Sequence, residues 1–356
     1  MQKQPSDKES IKPTTRGART VATAFLILSL ALFSLACSGG STSNGGTSAT
    51  PVASPSPQSS PTRLAIDEKR AYEHVSKQVG FGPRPAGSAE LAKTRDYIIG
   101  ELKSYGLNVT LDEFNPKTPV GNVHMGNVVA ELPGESSDII IISSHYDTKL
   151  FKEFTFVGAN DGASSTAALL EIARVMAQSG QKPRLTYRFV FFDGEEAFCK
   201  GWDIHEPGGC ENPDGPDNTY GSRHYVQLLK DNNELKNVRA MILLDMMGYK
   251  ELYLPREDDM STPWLIDAVW NTASDLGYGK QFVSQSEGVG GDDHEPFLKA
   301  GVPSVDIIQL GTYPYWHKPE DTLDKISPQS LKIVADVVLA SLPRIEQHIL
   351  NSRPAS

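Results

Sequence analysis

Two adjacent glutamates, Glu195 and Glu196, follow closely on a run of mostly apolar and aromatic residues, Leu185–Phe192. Such runs are typical of strands buried in a sheet, and open α/β sheets place their chemistry at the carboxyl ends of such strands. Neighbouring side chains in extended backbone point to opposite sides, so the two glutamates cannot easily do the same job. One can hold a metal ion while the other faces a substrate and moves a proton. An isolated acidic pair is more often a solvated turn, so this hypothesis depends on the residues around it.

Further residues of metal-ligand type stand at the ends of other predicted elements. They are His145 after an apolar run, Asp161 at the start of a helix, Asp245 after a second apolar run, and His317 in a late loop. Each alone has a structural explanation, such as a helix cap or a core histidine. Together with Glu196 they indicate a zinc site, because zinc takes histidine and carboxylate ligands and keeps an open position in catalytic sites. Asp147 is placed to orient the imidazole of His145.

These residues need a sheet to bring them together, and the rest of the chain supplies one. Strands are predicted at 108–114, 127–132, 138–143, 185–192, 240–244 and 302–310. Helices are predicted at 64–79, 88–105, 161–177, 222–230, 262–276, 294–300 and 328–349. Alternating strands and helices indicate an α/β fold, a three-layer sandwich whose mixed, mostly parallel sheet has helices on both faces.

The length of 356 residues suits one large α/β domain plus a tail, and the formal net charge is −10. An acidic chain of this kind argues against nucleic acid as a partner. We expect a monomer.

The amino terminus is predicted to be a targeting segment. Arg16 and Arg19 precede an apolar run at 21–35 that is too short for a comfortable membrane span. Residues 1–36 resemble a bacterial lipoprotein signal, with Cys37 as the lipidated first residue; simple secretion and an uncleaved anchor are the alternatives. Residues 37–62, rich in Ser, Thr, Gly and Pro, are predicted to be a disordered tether before a single zinc-dependent catalytic domain at 63–356. The expected location is exported and lipid-anchored to a bacterial membrane, on its periplasmic or cell-surface side.

Two cysteines remain, Cys199 and Cys210. In an oxidising compartment they could close a small surface loop by a disulfide, and two unpaired thiols are the alternative. They could also bind a metal, but no matching histidine or cysteine pair accompanies them.

The site residues resemble those of the zinc aminopeptidase superfamily with two metal ions. The resemblance covers about residues 64–350. It implies one zinc ion on His145, Asp161 and Asp245, and a second on Asp161, Glu196 and His317. Glu195 would be the base.

Several sequence motifs are more similar to the animal-type glutaminyl-peptide cyclotransferases (glutaminyl cyclases) of that superfamily. They are FGPRP at 81–85, HYDTK at 145–149, FDGEEAF at 192–198, YGSRH at 220–224, DDHEPF at 292–297, and Trp316 directly before His317. This resemblance implies a single zinc ion on Asp161, Glu196 and His317. Glu195 would shuttle the proton, Asp245 and Asp292 would form a hydrogen-bonded acid pair, and Trp202 and Trp316 would wall the pocket. Residues 203–218 are expected to form an extra loop over the site.

The two activities need different sites. An aminopeptidase must activate external water, for which two metal ions are a common device. A cyclase uses the substrate's own α-amine, which is already tethered and oriented, so one zinc ion suffices. The leading hypothesis is cyclisation of N-terminal glutamine of peptides or proteins to pyroglutamate with release of ammonia. A dinuclear zinc aminopeptidase and a non-catalytic binding domain on the same scaffold are the alternatives.

Overall fold

A computed structural model describes residues 64–202, 204–213 and 215–352 of the chain. The predicted signal at 1–36, the lipidation site Cys37 and the predicted tether at 37–62 lie outside these residues. Within the described part of the chain, no helix combines the length and apolar character needed to cross a membrane.

The described residues form seven α-helices and ten β-strands. The helices are α1 Glu68–Phe81, α2 Ala89–Ser104, α3 Ala163–Ala177, α4 Tyr220–Asp231, α5 Pro263–Asp275, α6 Glu295–Lys299 and α7 Pro328–Asn351. The strands are β1 Asn108–Phe114, β2 Lys117–Thr118, β3 Gly121–Asn122, β4 Met125–Leu132, β5 Ser136–His145, β6 Leu185–Phe192, β7 Val238–Asp245, β8 Leu254–Glu257, β9 Phe282–Glu287 and β10 Ser304–Ile308.

Six strands form the central sheet, in the order β1-β4-β6-β5-β7-β10. The four strands β6, β5, β7 and β10 run parallel. At one side β4 pairs antiparallel with β6, and β1 pairs antiparallel with β4. The carboxyl ends of the four parallel strands therefore meet at one edge, which is where the predicted ligand residues emerge.

Helices cover both faces of the sheet. Side chains alternate between the two faces along each strand, and apolar side chains on both faces need to be buried. In β5, Ile140 and Ile142 pack into the core that contains α1, α2, α3, α5 and α7. Ile139 and Ile141 point the other way and pack into the core formed with α4 and α6. The predicted three-layer α/β fold with a mostly parallel sheet is confirmed.

The structure differs from the prediction at a few element ends. Helix α3 begins at Ala163 rather than Asp161, and the residue before it is Gly162, which provides no side-chain cap. Asp161 therefore lies in a turn with its carboxylate free for the site. Helix α1 begins at Glu68 because the side chain of Asp67 accepts hydrogen bonds from the backbone amides of Lys69 and Arg70. The short pairs β2–β3 and β8–β9 were not predicted.

A buried carboxylate, Glu171, joins α1 to α3. It accepts hydrogen bonds from Arg174 Nε at 2.6 Å and from Arg70 Nε at 3.1 Å, and its other oxygen accepts from the backbone amide of Asp67. Burial alone would raise the pKa of Glu171, but its hydrogen bonds from Arg174, His74 and Arg70 outweigh burial and bring that pKa well below its usual value. The folded state thus favours the charged form.

Glu171→Gln should therefore lower the free energy of unfolding at pH 7 by about 1–3 kcal/mol, the usual cost of unpaired buried polar groups. Because the folded-state pKa is depressed, the carboxylate's contribution is present above its ordinary pKa of 4.5 and is lost as the pH falls below that value. Urea denaturation of both proteins at pH 7, 5 and 4 measures this difference. Equal stabilities at pH 7 would contradict the prediction.

Candidate active site

The predicted ligand residues converge at the carboxyl edge of the parallel strands. His145 is the last residue of β5, Asp245 is the last residue of β7, and Glu195 and Glu196 follow β6. Asp161 lies in the turn before α3, and His317 lies in the loop after β10. Open α/β sheets carry ligands at this edge.

Asp161, Glu196 and His317 form one cluster with metal-binding geometry, in which their ligand atoms all lie within 4.8 Å of one another. His317 Nε2 lies 3.2 Å from Glu196 Oε1 and 3.5 Å from Asp161 Oδ2. Asp161 Oδ2 and Glu196 Oε2 are buried and have no hydrogen-bond partner among the described residues. Lys149 Nζ lies 3.9 Å from Glu196 Oε2, beyond hydrogen-bond distance. Two buried carboxylates that each keep an orphaned oxygen beside one imidazole fit a divalent cation, because buried anions are otherwise costly.

A second cluster shares Asp161 with the first and adds His145 and Asp245. His145 Nε2 lies 3.1 Å from Asp245 Oδ1 and 3.3 Å from Asp161 Oδ1. Gly162 (φ 83°) makes this approach possible, since a Cβ there would come within 2.7 Å of the Asp147 carbonyl oxygen and 3.1 Å of the imidazole. Asp161 thus presents one oxygen to each cluster.

Asp147 holds the two glutamates in position. Its carboxylate oxygens accept hydrogen bonds from the backbone amides of Glu195 at 3.1 Å and Glu196 at 3.2 Å. Asp147 Oδ1 also lies 3.5 Å from His145 Nδ1. It therefore lies against the imidazole as expected and also anchors the turn after β6, a role that the sequence analysis did not predict.

The side chains of the two glutamates diverge. Glu196 faces His317, whereas Glu195 Oε2 lies 3.8 Å from His145 Nδ1. Burial raises the pKa of Glu195 well above its usual value, and Asp292 and Glu196 raise it further against the opposing effect of His145. For Glu196, the charge of His317 and its hydrogen bond outweigh burial and lower the pKa. Two neighbouring acids with opposite pKa shifts suit two different roles.

Asp245 and Asp292 both line the pocket, where the acid pair was expected. Asp245 Oδ1 accepts hydrogen bonds from His145 and from the backbone amide of Met246. Burial raises the pKa of Asp292 to about 7, with the Asp245 carboxylate adding to the effect. The two acids therefore interact electrostatically, and the hydrogen bond between them stays a prediction.

Asp306 is a buried acid beside the pocket that was not predicted from the sequence. It is fully buried in β10, and burial raises its pKa well above the usual value, with Asp292 and Asp245 as further causes. A carboxylate in the middle of the buried strand SVDII was the available signal, because charged residues are rarely buried without a partner or a role.

A pocket with a cavity volume of about 370 Å³ opens over these residues. Trp202 and Trp316 both line it, together with Asp161, Glu195, Glu196, Asp245, Asp292 and His317. The ring of Trp316 stacks on His317 with centroids 4.3 Å apart and is 39% exposed. Both tryptophans thus lie where the predicted pocket needs them. Trp264 and Trp270, in contrast, pack against His348 and Phe282.

The predicted extra loop at 203–218 contributes to the pocket lining through Glu206, Pro216 and Asn218. Cys210 within this loop forms a disulfide with Cys199, which lies before the loop, and their Cα atoms are 6.1 Å apart. Of the two states that the sequence left open, the structure contains the bonded one.

Three residues with left-handed backbone line the pocket although none is glycine. They are Thr219 (φ 48°), Met246 (φ 43°) and His317 (φ 54°). Such conformations cost free energy and persist where the surroundings impose them, often at functional sites. The strain is concentrated at this pocket, which supports it as the active site.

The three-layer fold with histidine and carboxylate clusters at the strand ends defines a zinc aminopeptidase-like enzyme. Residues 127–342 match the family model of peptidase family M28, and the chain belongs to that family. A Zn-dependent exopeptidase from Parabacteroides distasonis is 29% identical, with a TM-score of 0.67, and the match covers 77% of this chain and 97% of that one. The family and this neighbour favour zinc as the metal.

Within the family the chain belongs with the glutaminyl cyclases. The crystal structure of a glutaminyl cyclase from an Acidobacteriales bacterium is 34% identical with a TM-score of 0.72, and the match covers 83% of this chain and 100% of that one. The glutaminyl-peptide cyclotransferase of Drosophila melanogaster is 28% identical over 267 residues, which are 68% of this chain and 72% of the relative. The resemblance stated from the sequence motifs is confirmed.

Proposed function

We propose that the chain converts the N-terminal glutamine of peptides or proteins to pyroglutamate and releases ammonia. The observation that carries this proposal is the cluster of Asp161, Glu196 and His317 on one wall of the pocket, with the raised-pKa acid Glu195 beside it. Trp202 and Trp316 supply the apolar walls that a glutamine side chain needs. The membership of the chain among the glutaminyl cyclases supports the same reaction.

Asp161, Glu196 and His317 would hold the metal. A zinc ion held there would supply Lewis acidity toward the oxygen of the glutamine side-chain amide. The walls of the pocket orient the substrate so that its own α-amine faces the amide carbon. An intramolecular attack of this kind starts with the reacting groups already close, which removes much of the entropic barrier.

Glu195 would move the proton. It is ionised when it accepts a proton from the attacking α-amine, and it returns that proton to the departing amide nitrogen. One C–N bond forms to close the five-membered lactam, the bond to the side-chain nitrogen breaks, and ammonia leaves. A pKa raised by burial and by Asp292 suits an acid that must both accept and donate. Asp292 would place negative charge beside Glu195 and so favour its protonated state during the transfer, and Asp245 would in turn raise the pKa of Asp292.

We propose one zinc ion per chain. In the second cluster, His145 Nε2 and Asp245 Oδ1 already pair with each other, and Asp245 also accepts from Met246. In the first cluster His317 Nε2 pairs with Glu196 Oε1 in the same way, but Asp161 Oδ2 and Glu196 Oε2 have no hydrogen-bond partner among the described residues. This difference favours occupancy of the first cluster.

The second candidate is a dinuclear zinc aminopeptidase, which the complete second cluster favours. One experiment separates the two activities: ammonia release from a glutamine-initiated peptide is compared with hydrolysis of a leucine arylamide, and zinc per chain is measured by mass spectrometry. Ammonia release with one zinc ion supports the cyclase. Arylamide cleavage with two zinc ions would establish the aminopeptidase, and neither activity nor zinc would leave a non-catalytic binding domain.

We also propose that the chain is exported and held at a bacterial membrane by a lipid on Cys37. The lipoprotein-type pattern at 1–37 supports this, as does the Cys199–Cys210 disulfide, since disulfides persist in oxidising compartments. Cys37→Ala should remove fatty-acid labelling and move the chain from the membrane to the soluble fraction. A variant that stays in the membrane would indicate an uncleaved anchor. A pocket built within one chain supports a monomer, which light scattering would test.

A further inference from the structure

The turn that carries Asp161, residues 157–161, lies between two buried side chains of opposite charge. Arg84 is fully buried on one side and Asp321 is fully buried on the other. Neither residue belongs to the metal clusters or to the proton-transfer groups described above. Both side chains form hydrogen bonds with the backbone of this turn, and Arg84 also donates to the carbonyl oxygens of Gln78 and Gly82.

Arg84 binds the carbonyl oxygens at the start of the turn. Its Nη1 donates to Val157 O at 2.8 Å, and its Nη2 donates to Gly158 O at 3.1 Å. The turn is tight at this point, because Gly158 has φ 51° and a Cβ there would come within 2.4 Å of the Asp161 carbonyl oxygen. The guanidinium thus fixes the entry to the turn.

Asp321 binds the amides at the end of the turn. Its Oδ1 accepts a hydrogen bond from the backbone amide of Asn160 at 2.8 Å, and its Oδ2 accepts one from the backbone amide of Asp161 at 3.1 Å. Its backbone carbonyl accepts from Ala159 at 3.4 Å. The Tyr313 hydroxyl donates a hydrogen bond to Asp321 Oδ1 at 2.6 Å, and this bond holds the Asp321 carboxylate in place.

Asp321 also connects two ligands of the same cluster. It lies four residues after His317, in the same loop, and it accepts a hydrogen bond from the backbone amide of Asp161. The two loops come from distant parts of the chain, and their relative position sets the distance between His317 Nε2 and Asp161 Oδ2. A metal site tolerates little error in that distance, because ligand bonds to zinc are about 2.0–2.2 Å long.

We propose that Asp321 and Arg84 are positioning residues that preorganise the zinc site by locking the Asp161 turn to the His317 loop. The proposal rests on the zinc enzyme proposed above and deepens it. Asp321 acts on backbone amides rather than on the metal, so its loss should weaken zinc binding without removing a ligand. Arg84 should act in the same direction from the other side of the turn.

The test is the zinc affinity of the purified full chain, measured by competition with a chelator of known affinity. Asp321→Asn, which keeps the size of the side chain, should raise the Kd for zinc by about 10–100-fold, as is usual for residues that orient metal ligands. Glu171→Gln is the matched control, since it also neutralises a buried carboxylate that accepts a hydrogen bond from a backbone amide. It should lower stability and leave the Kd for zinc unchanged.

A milder variant decides the case if Asp321→Asn fails to fold. Tyr313→Phe removes only the hydroxyl that fixes Asp321 and should still raise the Kd about threefold or more, and Arg84→Lys should behave similarly. Zinc affinities equal to wild type in folded variants would overturn the proposal and leave these residues a purely structural role. A wild-type chain that binds no zinc would overturn the proposed zinc enzyme itself, and this inference with it.

Discussion

Glu195→Gln is expected to lower kcat for the cyclisation of a glutamine-initiated peptide by about 10²–10⁴-fold, the usual contribution of a general acid–base group. The amide keeps the size of the side chain but can no longer accept the proton of the α-amine. Zinc content should stay at the wild-type level, because Glu195 faces His145 and Asp292 rather than His317. Ammonia release and zinc per chain, measured on the same preparation, check both halves.

The adjacent residue provides the control for this variant. Glu196→Gln makes the same chemical change one residue further on, and it removes a carboxylate that lies 3.2 Å from His317 Nε2. It should therefore lose zinc and activity together. If Glu195→Gln emptied the metal site and Glu196→Gln did not, the two roles assigned here would be reversed.

Asp161→Asn is expected to abolish both zinc binding and turnover, whether the enzyme holds one metal ion or two. Asp161 belongs to both clusters and presents Oδ1 to His145 and Oδ2 to His317. Loss of the Lewis acid removes several kcal/mol of transition-state stabilisation, so the rate should fall by about 10³-fold or more. Zinc per chain and ammonia release are the measurements.

Asp245→Asn is the informative comparison for this second variant. With one zinc ion on Asp161, Glu196 and His317, it should keep its zinc and lose activity only through the altered charge around Glu195. With two zinc ions, it should lose one of them. Full zinc content in Asp161→Asn would show that the metal lies elsewhere and would contradict the site.

Much of the fold and the ligand set could be predicted because both follow from local patterns. An apolar run such as Leu185–Phe192 identifies a buried strand, and parallel strands end at a common edge, so His145, Glu196 and Asp245 had to lie near one another. The roles of individual residues came from the family resemblance. The sequence pattern alone could not decide whether the site holds one metal ion or two.

The supporting residues could not be predicted, because their contacts join distant parts of the chain. Asp321 binds the backbone of Asp161 across 160 residues, and Asp147 binds Glu195 across 48 residues. Nothing in the local sequence shows that a carboxylate will accept hydrogen bonds from backbone amides rather than face solvent.

The disulfide between Cys199 and Cys210 has a practical consequence for anyone who produces this enzyme. It closes a segment that includes Trp202, while Asp161, Glu196 and His317 all lie outside that segment. A preparation made in a reducing cytosol would therefore load its metal normally but leave one aromatic wall untethered. Preparations with and without the disulfide should differ in KM and have the same kcat and metal content.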